Sequence, residues 1–356
     1  MTNDLVSIIM PVYNRNSVIN RAITSIKNQT YKNWELIVID DFSTDNTFEV
    51  ISNLAKENKK ISVYRNEKSK GISGARNTGL CKIKGSFIAF LDSDDEWMPY
   101  HLYESMKTIN EEKVPFCFSI WSVKNNKGKI RKRFETSVDQ AKYFESISKI
   151  PHKKNKKIYI FDKNFYEYTL INNFVIYHIN SLVVSKQLVM QIGFFDEKLH
   201  ASEDSDFIFR LLRNNSFAFI DNVHFYYYQG EDNIYNFIDR KSIDFEEIRY
   251  NKEIIKKLSY CLDNKCKMLK KRITIIKQDK KKFRKFRKCN KATKSMLARK
   301  LFVLFFLHSI INKKKALEYL SESMKYSNSL KKIIIFVIYK LTKKMVGVQR
   351  EELNFY

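Results

Sequence analysis

Continuous apolar runs alternate with segments of helical period through the first 120 residues. Ser7–Val12, Trp34–Ile39, Ile61–Arg65 and Ser86–Leu91 read as strands, with Ser17–Lys27, Thr44–Glu57, Ser73–Ile83 and Met98–Asn110 as the helices between them. This rhythm predicts an α/β fold whose core is a Rossmann-like, open, mainly parallel sheet flanked by helices. Further along, Phe116–Val123 reads as a strand, residues 171–185 regain apolar character, Glu203–Arg213 reads as a helix and Phe217–Tyr228 as an aromatic strand. The polar, basic stretch Lys124–Lys157 yields no element. Beyond about Asp239 the pattern turns helical and strongly basic to the end. The expected division is therefore a catalytic α/β domain over 1–239 and a basic helical region over 240–356.

Two of the strands run out into acids. Val38-Ile39 is followed by Asp40-Asp41, and Phe90-Leu91 by Asp92-Ser93-Asp94-Asp95. Open sheets bind ligands beyond the carboxyl ends of their strands, where such oxygens can share a hard divalent cation with a phosphate-bearing ligand. A plain Asp/Ser turn after each strand is the competing reading. On the helix beginning near Glu203, Asp204 shares a face with Phe207, Ile208 and Leu211, while Glu203, Asp206 and Arg210 form the neighbouring polar stripe. A carboxylate on the apolar side is either paired or held as a base, although acids also favour a helix's first turn through its dipole. The glycines in Gly71-Ile72-Ser73-Gly74-Ala75-Arg76-Asn77-Thr78-Gly79 lack the dinucleotide-loop spacing. They read instead as a flexible loop from which Arg76 reaches a phosphate or the acids.

Charge adds a partner class. The chain carries 65 Lys and Arg against 39 Asp and Glu, a net +26, which calls for an anionic partner: nucleic acid, an acidic membrane surface or a phosphorylated substrate. The excess concentrates between Lys265 and Leu317, where twenty basic residues face the single acid Asp279. Five cysteines without paired zinc spacing read as free thiols in a reducing compartment. The first residues pass directly into a strand, so no signal peptide is expected. The apolar stretches Leu301–Ile311 and Ile333–Tyr339 are too short to span a bilayer.

Six motifs in one order carry a resemblance: Pro11-Val12-Tyr13-Asn14, Gln29-Thr30-Tyr31, Trp34 to Asp45, Ala75-Arg76-Asn77, Asp92-Ser93-Asp94-Asp95, and Gly193-Phe194-Phe195-Asp196 with Glu203-Asp204. Over roughly residues 5–230 the chain resembles the family 2 inverting glycosyltransferases of the GT-A fold, of bacterial surface-polysaccharide type. The resemblance implies that Pro11 and Tyr13 border a nucleotide base, Tyr13 stacking on it, and that Asp41 accepts the base N3 hydrogen, which suits uracil or thymine. It implies that Arg76 reaches the nucleotide region, Asp92 the ribose or the metal shell, and Asp94 an Mn²⁺ or Mg²⁺ ion bridging to the diphosphate. Asp204 would be the catalytic base, while Asp40 and Asp95 are left without a role. The implied reaction is direct displacement from a nucleotide diphosphate sugar, UDP-linked donors being favoured by Asp41, onto a hydroxyl of a glycan or lipid-linked acceptor. One departure is that Phe225 to Gly230 offers no His ligand, and His224 just before it reads as packed or on the surface.

In the basic tail, Leu297, Leu301, Leu304, Phe305 and His308 share one helical side between lysines, and Lys331, Lys332, Lys340, Lys343 and Lys344 bracket the second apolar run. This suits an interfacial helix on an anionic leaflet, hence a cytoplasmic enzyme held peripherally on the inner face of the cell membrane. The alternative is that these helices pack in a core with solvated lysines. Two other function classes compete. The run Lys280 to Lys288 fits a nucleic-acid binder, but an acidic sheet rim repels phosphates, so no nucleic acid is expected as partner. A nucleotidyltransferase of similar fold needs a glycine-rich basic loop after the first strand, and Pro11 to Asn16 has no glycine.

Overall fold

The computed structural model describes residues 3–125, 130–132, 149–150, 152–172, 175–229 and 251–327. The chain divides into two compact units, residues 1–169 with 174–231, and residues 170–173 with 232–356. The expected boundary near Asp239 lies outside the described residues.

The α/β unit begins with four parallel strands, β1 (Val6–Val12), β2 (Trp34–Asp40), β3 (Ile61–Arg65) and β4 (Phe87–Phe90), in the order β3-β2-β1-β4. In β1, β2 and β4 the side chains are apolar on both faces because helices cover the sheet: Val6, Ile8, Ile9, Met10, Leu36, Val38, Ala89 and Phe90 are all fully buried. The connecting helices are α1 (Ile19–Lys27), α2 (Thr47–Glu57) and α3 (Ile72–Leu80). Strand β1 has β2 on one side and β4 on the other, so the winding reverses there and a crevice opens at the carboxyl ends. Register brings Val12 opposite Asp40 and Ile9 opposite Phe90, which delivers Tyr13, Asp41 and Asp92 to one rim.

Local chemistry explains where the helices depart from the expected bounds. Helix α2 starts at Thr47 rather than Thr44 because the preceding residues are spent on the rim: Asn14 N donates to Ser43 Oγ (3.0 Å), Thr44 N donates to Asn14 Oδ1 (2.8 Å), and Asp45 Oδ1 accepts from Thr47 N (3.0 Å). Of the two readings of the glycine-rich segment, the helix over Ser73–Ile83 is the one the structure holds, as α3, and the flexible loop is not. A Cβ on Gly74 would stand 1.8 Å from the Ser69 carbonyl oxygen, and one on Gly79 2.5 Å from Ile9 Cγ2. These glycines serve close approach of the helix to β1 and to its own entry loop.

The sheet continues through short elements: β5 (Glu96–Trp97), α4 (His101–Glu112), β6 (Phe116–Asn125), β7 (Ile130–Lys132), β8 (His152–Asn155), β9 (Ile158–Phe161), α5 (Asn164–Asn172), β10 (Val183–Ser185), α6 (Lys186–Ile192), α7 (Glu203–Leu212) and β11 (Phe217–Gln229). Strand β10 is antiparallel to β4 and β6, while β11 runs parallel to β6 and antiparallel to β5 and β9. A ring-on-ring core, Phe116 stacked on Phe217 at 5.4 Å with Phe161 and Phe165 alongside, anchors this half. Most of Lys124–Lys157 lies outside the described residues.

Of the two placements the sequence left to His224, packed or on the surface, it is packed. Its Nδ1 lies 3.1 Å from His101 Nδ1 and its Nε2 3.0 Å from Glu104 Oε2, inside a shell that includes Trp97 and Tyr100. Burial drives both imidazoles below their ordinary value, His101 well below, with the facing His224 adding to the effect there; Glu104 opposes it at His224. Unfolded imidazoles take up protons near pH 6.5 whereas these do not, so the unfolded chain binds more protons below that point and stability drains away as pH falls. We expect the Tm of the full chain to drop between pH 7 and pH 5, with a shallower slope in His101→Phe, measured by scanning calorimetry. A slope unchanged by the substitution would contradict this assignment.

The second unit is helical: α8 (Lys252–Gln278), α9 (Phe286–Ile311) and α10 (Lys313–Tyr326), α9 packing on both of the others. The stripe expected to face a membrane is not available to one. Leu297, Leu301, Leu304, Phe305 and His308 are all buried, and so are Phe302, Val303, Phe306 and Leu307 from the other sides of the same helix. A helix apolar all round is a core helix, which is why the lysine-flanked stripe misled. Among the described residues, Lys280, Lys281, Lys282, Arg284, Lys285, Arg287, Lys288 and Lys291 form a run of exposed basic residues, and further exposed lysines lie along α8 and α10. Among the described residues no helix is long and apolar enough to cross a membrane. The stretch around Ile333–Tyr339 lies outside them.

Candidate active site

The rim above β1 and β2 is built by two loops knitted together. Asn14 and Phe42 both take left-handed backbone (φ 50° and 62°), and Arg15 N donates to Thr47 Oγ1 at 2.8 Å. This turns Tyr13 and Phe42 outward, 43% and 49% exposed, unusual for aromatic side chains. Lys70 Nζ stands 5.3 Å from the Tyr13 ring centroid. Pro11 is buried one step inside β1, opposite Ile39, and so backs the rim through Tyr13. Asp41 is buried with Oδ1 accepting from Asn66 Nδ2 (2.7 Å) and Oδ2 from Gly71 N (2.8 Å). Its neighbour Asp40 is structural: Oδ2 accepts from Ser43 N (3.1 Å) and pairs with Arg65, holding the turn.

Beyond β4, the four-residue acidic loop splits its duties. Asp95 is buried, accepts from Tyr228 N at 2.9 Å and from Asn180 Nδ2, and thereby pins the loop to β11. Burial, then the charges of Asp94 and Asp92, push its carboxyl well above the ordinary value. Asp94 reaches further out, its side chain 40% exposed, with Arg15 Nη2 at 3.5 Å from Oδ2 and Arg21 donating to its carbonyl oxygen. Withdrawal from water and the charge of Asp92 raise the Asp94 carboxyl, and Arg15 and Arg21 offset this only in part. Asp92 takes a hydrogen bond from Arg76 Nη2 at 2.8 Å and is fixed through its N–H to Asn180 Oδ1 (3.2 Å).

Arg76 is among the most buried side chains, at 1% exposed. Of the two destinations open to it from sequence, it reaches the acids: Nη2 to Asp92 and Nη1 to Glu203 Oε1, also 2.8 Å. Ser202 in left-handed backbone (φ 64°) turns the chain into α7, so that Glu203 and Asp204 open that helix. Here the expected faces are exchanged. Glu203 and Asp206 point inward, Asp206 pairing with Arg210 Nε at 3.0 Å, while Asp204 is only half-buried, its Oδ1 accepting from Ser205 N at 2.6 Å. Arg76, which is buried, and Arg210, partly so, compensate the inward acids, which a count of apolar spacings does not register. Glu203 is the carboxyl withdrawn from water: burial first, then the charge of Asp204, push it up to about 7 against the pull of Arg76.

All the residues singled out, Pro11, Tyr13, Asp41, Arg76, Asp92, Asp94 and Asp204, thus belong to the strand ends, helix starts and loops of one sheet edge. Asn66, Asn180 and Tyr228 complete it without having been picked out, and so does Glu203, which the sequence offered only as part of the polar stripe and the Glu203-Asp204 motif. Asn180 carried a signal, a polar side chain in the apolar stretch 171–185, because buried amides are kept only where they are paired. Among the described residues no three His, Cys, Asp or Glu side chains are grouped to hold a metal by themselves. Asp94, only partly compensated by Arg15 and Arg21, nevertheless fits, together with Asp92 beside it, a hard divalent cation that takes its remaining oxygens from a phosphate ligand and water.

Residues 7–174 match the family model described as glycosyl transferase family 2, and this part of the chain is a family 2 glycosyltransferase domain of the GT-A fold. Among curated proteins, the Escherichia coli UDP-Glc:alpha-D-GlcNAc-diphosphoundecaprenol beta-1,3-glucosyltransferase WfgD is 44% identical over 127 residues, 35% of this chain and 49% of that protein. The putative teichuronic acid biosynthesis glycosyltransferase TuaG of Bacillus subtilis is 32% identical over 149 residues, 41% of this chain and 59% of that one. The chain spans about half the length of such relatives. The crystal structure of S. aureus TarS superimposes with a TM-score of 0.57 at 16% identity, covering 98% of this chain and 54% of TarS, a likeness of fold.

Proposed function

We propose that the protein is an inverting glycosyltransferase that moves a sugar from a nucleoside diphosphate donor, with UDP as the nucleotide, to a hydroxyl of a glycan or lipid-linked acceptor in surface-polysaccharide synthesis. The observation that carries the reading is the convergence, on one sheet edge, of an outward aromatic, a buried acceptor for a base N–H, a charged acidic loop and a separate carboxylate on a helix start. Tyr13 offers a ring face to the base, and Asp41, held by Asn66 and Gly71, keeps lone pairs for the N3 hydrogen of uracil. Asp94, with Asp92, would hold Mn²⁺ or Mg²⁺, which when bound neutralises charge on the departing diphosphate. Asp204, less buried than Glu203 and free of an arginine pairing, is the carboxylate to take the acceptor hydroxyl's proton as that oxygen attacks the anomeric carbon. The attack comes opposite to the leaving group, so the anomeric configuration inverts.

The acceptor class rests on the relatives. WfgD is named for a sugar on diphosphoundecaprenol, as is a Campylobacter jejuni beta-1,3-glucosyltransferase 42% identical over 106 residues. Such an acceptor lies in a membrane, and the exposed lysines and arginines from Lys281 to Lys291 would draw the chain to an anionic leaflet by charge, without an apolar helix inserted. A panel of nucleotide sugars, with released nucleoside diphosphate read with and without Mn²⁺, tests the activity. UDP-sugars should give release that depends on the cation, and silence across the panel would count against the reading.

A further inference from the structure

Arg76 is buried, charged and shared. Its guanidinium is planar and rigid, and its two terminal nitrogens each hold one carboxylate at 2.8 Å: Asp92, sixteen residues on in the acidic loop, and Glu203, 127 residues on in the first turn of α7. Burying such an ion pair is a poor way to gain stability, because desolvation offsets the attraction. The arrangement does something else: one inflexible group fixes the spacing between the loop that faces the donor and the helix that carries Asp204. The same helix, α3, grips the approach to α7 at three further points. Asn77 Nδ2 donates to the Phe195 carbonyl oxygen (3.0 Å) and to Glu197 Oε1 (2.8 Å), and Ser73 Oγ donates to the Leu199 carbonyl oxygen (2.9 Å). These side chains hold the 195–202 segment still, so the adjustable link is the fork itself.

We propose that Arg76 and Glu203 are positioning residues that couple occupancy of the donor site to the placement of the base, through the chain Asp92–Arg76–Glu203–Asp204. The inference rests on the glycosyltransferase reading above and deepens it. A donor diphosphate with its cation competes with Arg76 for Asp92, and the guanidinium then leans on Glu203, tightening the first turn of α7 around Asp204. Neither Arg76 nor Glu203 touches the reacting atoms. The loss of either is therefore felt in turnover more than in donor affinity.

Hydrogen exchange of the full-length protein, with and without UDP and Mn²⁺, reads this directly. In the wild type, UDP should slow exchange both at the donor rim (peptides over 38–45) and at the start of α7 (peptides over 199–206). Arg76→Lys keeps the charge but offers one compact ammonium, and Glu203→Gln keeps the shape and leaves Arg76 its Asp92 partner. Each should retain the rim response, with donor KM within about threefold of wild type, lose the α7 response, and show kcat down by about tenfold or more. If Arg76→Lys does not fold, Glu203→Gln decides by the same readout. An α7 response that persists in the folded variants overturns the coupling while leaving the function standing. A wild type in which UDP slows exchange nowhere overturns the proposed function, and the coupling with it.

Discussion

Asp94→Ala is expected to reduce sugar transfer to below about one-thousandth of wild type and to remove the cation dependence of donor binding. Asp94 is the member of the acidic loop that reaches outward, since Asp95 is consumed by Tyr228 and Asn180 and Asp92 already gives Oδ1 to Arg76. A cation at a departing diphosphate is worth several kcal/mol of transition-state charge stabilisation, and each 1.4 kcal/mol is about tenfold in rate. The fold should survive, because the Asp94 side chain is 40% exposed and its only charged neighbour within 4 Å among the described ion pairs is Arg15. Transfer by the wild type in excess chelator would remove the cation from the account.

Asp204→Asn should leave donor affinity near wild type and cut the chemical rate by a factor on the order of a hundred or more, the usual loss for a positioned base. The amide keeps the shape and cannot take the proton. Steady-state and single-turnover rates, measured with a soluble acceptor analogue, separate this from slow release of product. Turnover within a few-fold of wild type would mean that the base lies elsewhere and that Asp204 only complements the dipole of α7.

The part of this architecture governed by local rules was readable from the chain. Four parallel strands separated by helices, apolar on both faces in β1, β2 and β4 and only partly buried at the edge strand β3, fix the parallel half of the sheet, and the acids that terminate β2 and β4 sit at its rim because parallel strands end on the same side. What escaped was decided by tertiary contact. Strands β8, β9 and β10 have three or four residues each, too few to display a period, and exist because β9, β11 and β4 supply their partners. Gly74 and Gly79 lie in a stretch that reads both as the helix Ser73–Ile83 and as a flexible loop, because glycine marks loops in most contexts; here Ile9 and the Ser69 carbonyl leave no room for a side chain, and the stretch is helical. On α7 the apolar spacing pointed to Asp204 as the inward acid, and only the arrival of Arg76 from a distant helix makes Glu203 the buried one. The stripe on α9 looked like half of an amphipathic helix, and the phenylalanines between its members reveal a core helix.

The most direct measurement is a calorimetric titration of UDP into the full chain in the presence of Mn²⁺, repeated with chelator and with Asp94→Ala and Asp41→Ala. Saturable binding to the wild type should weaken strongly without the cation and in Asp94→Ala, and should fall in Asp41→Ala because the base loses its buried acceptor. No binding of UDP to the wild type, or binding indifferent to the cation and to both substitutions, would contradict a nucleotide-sugar site at this sheet edge.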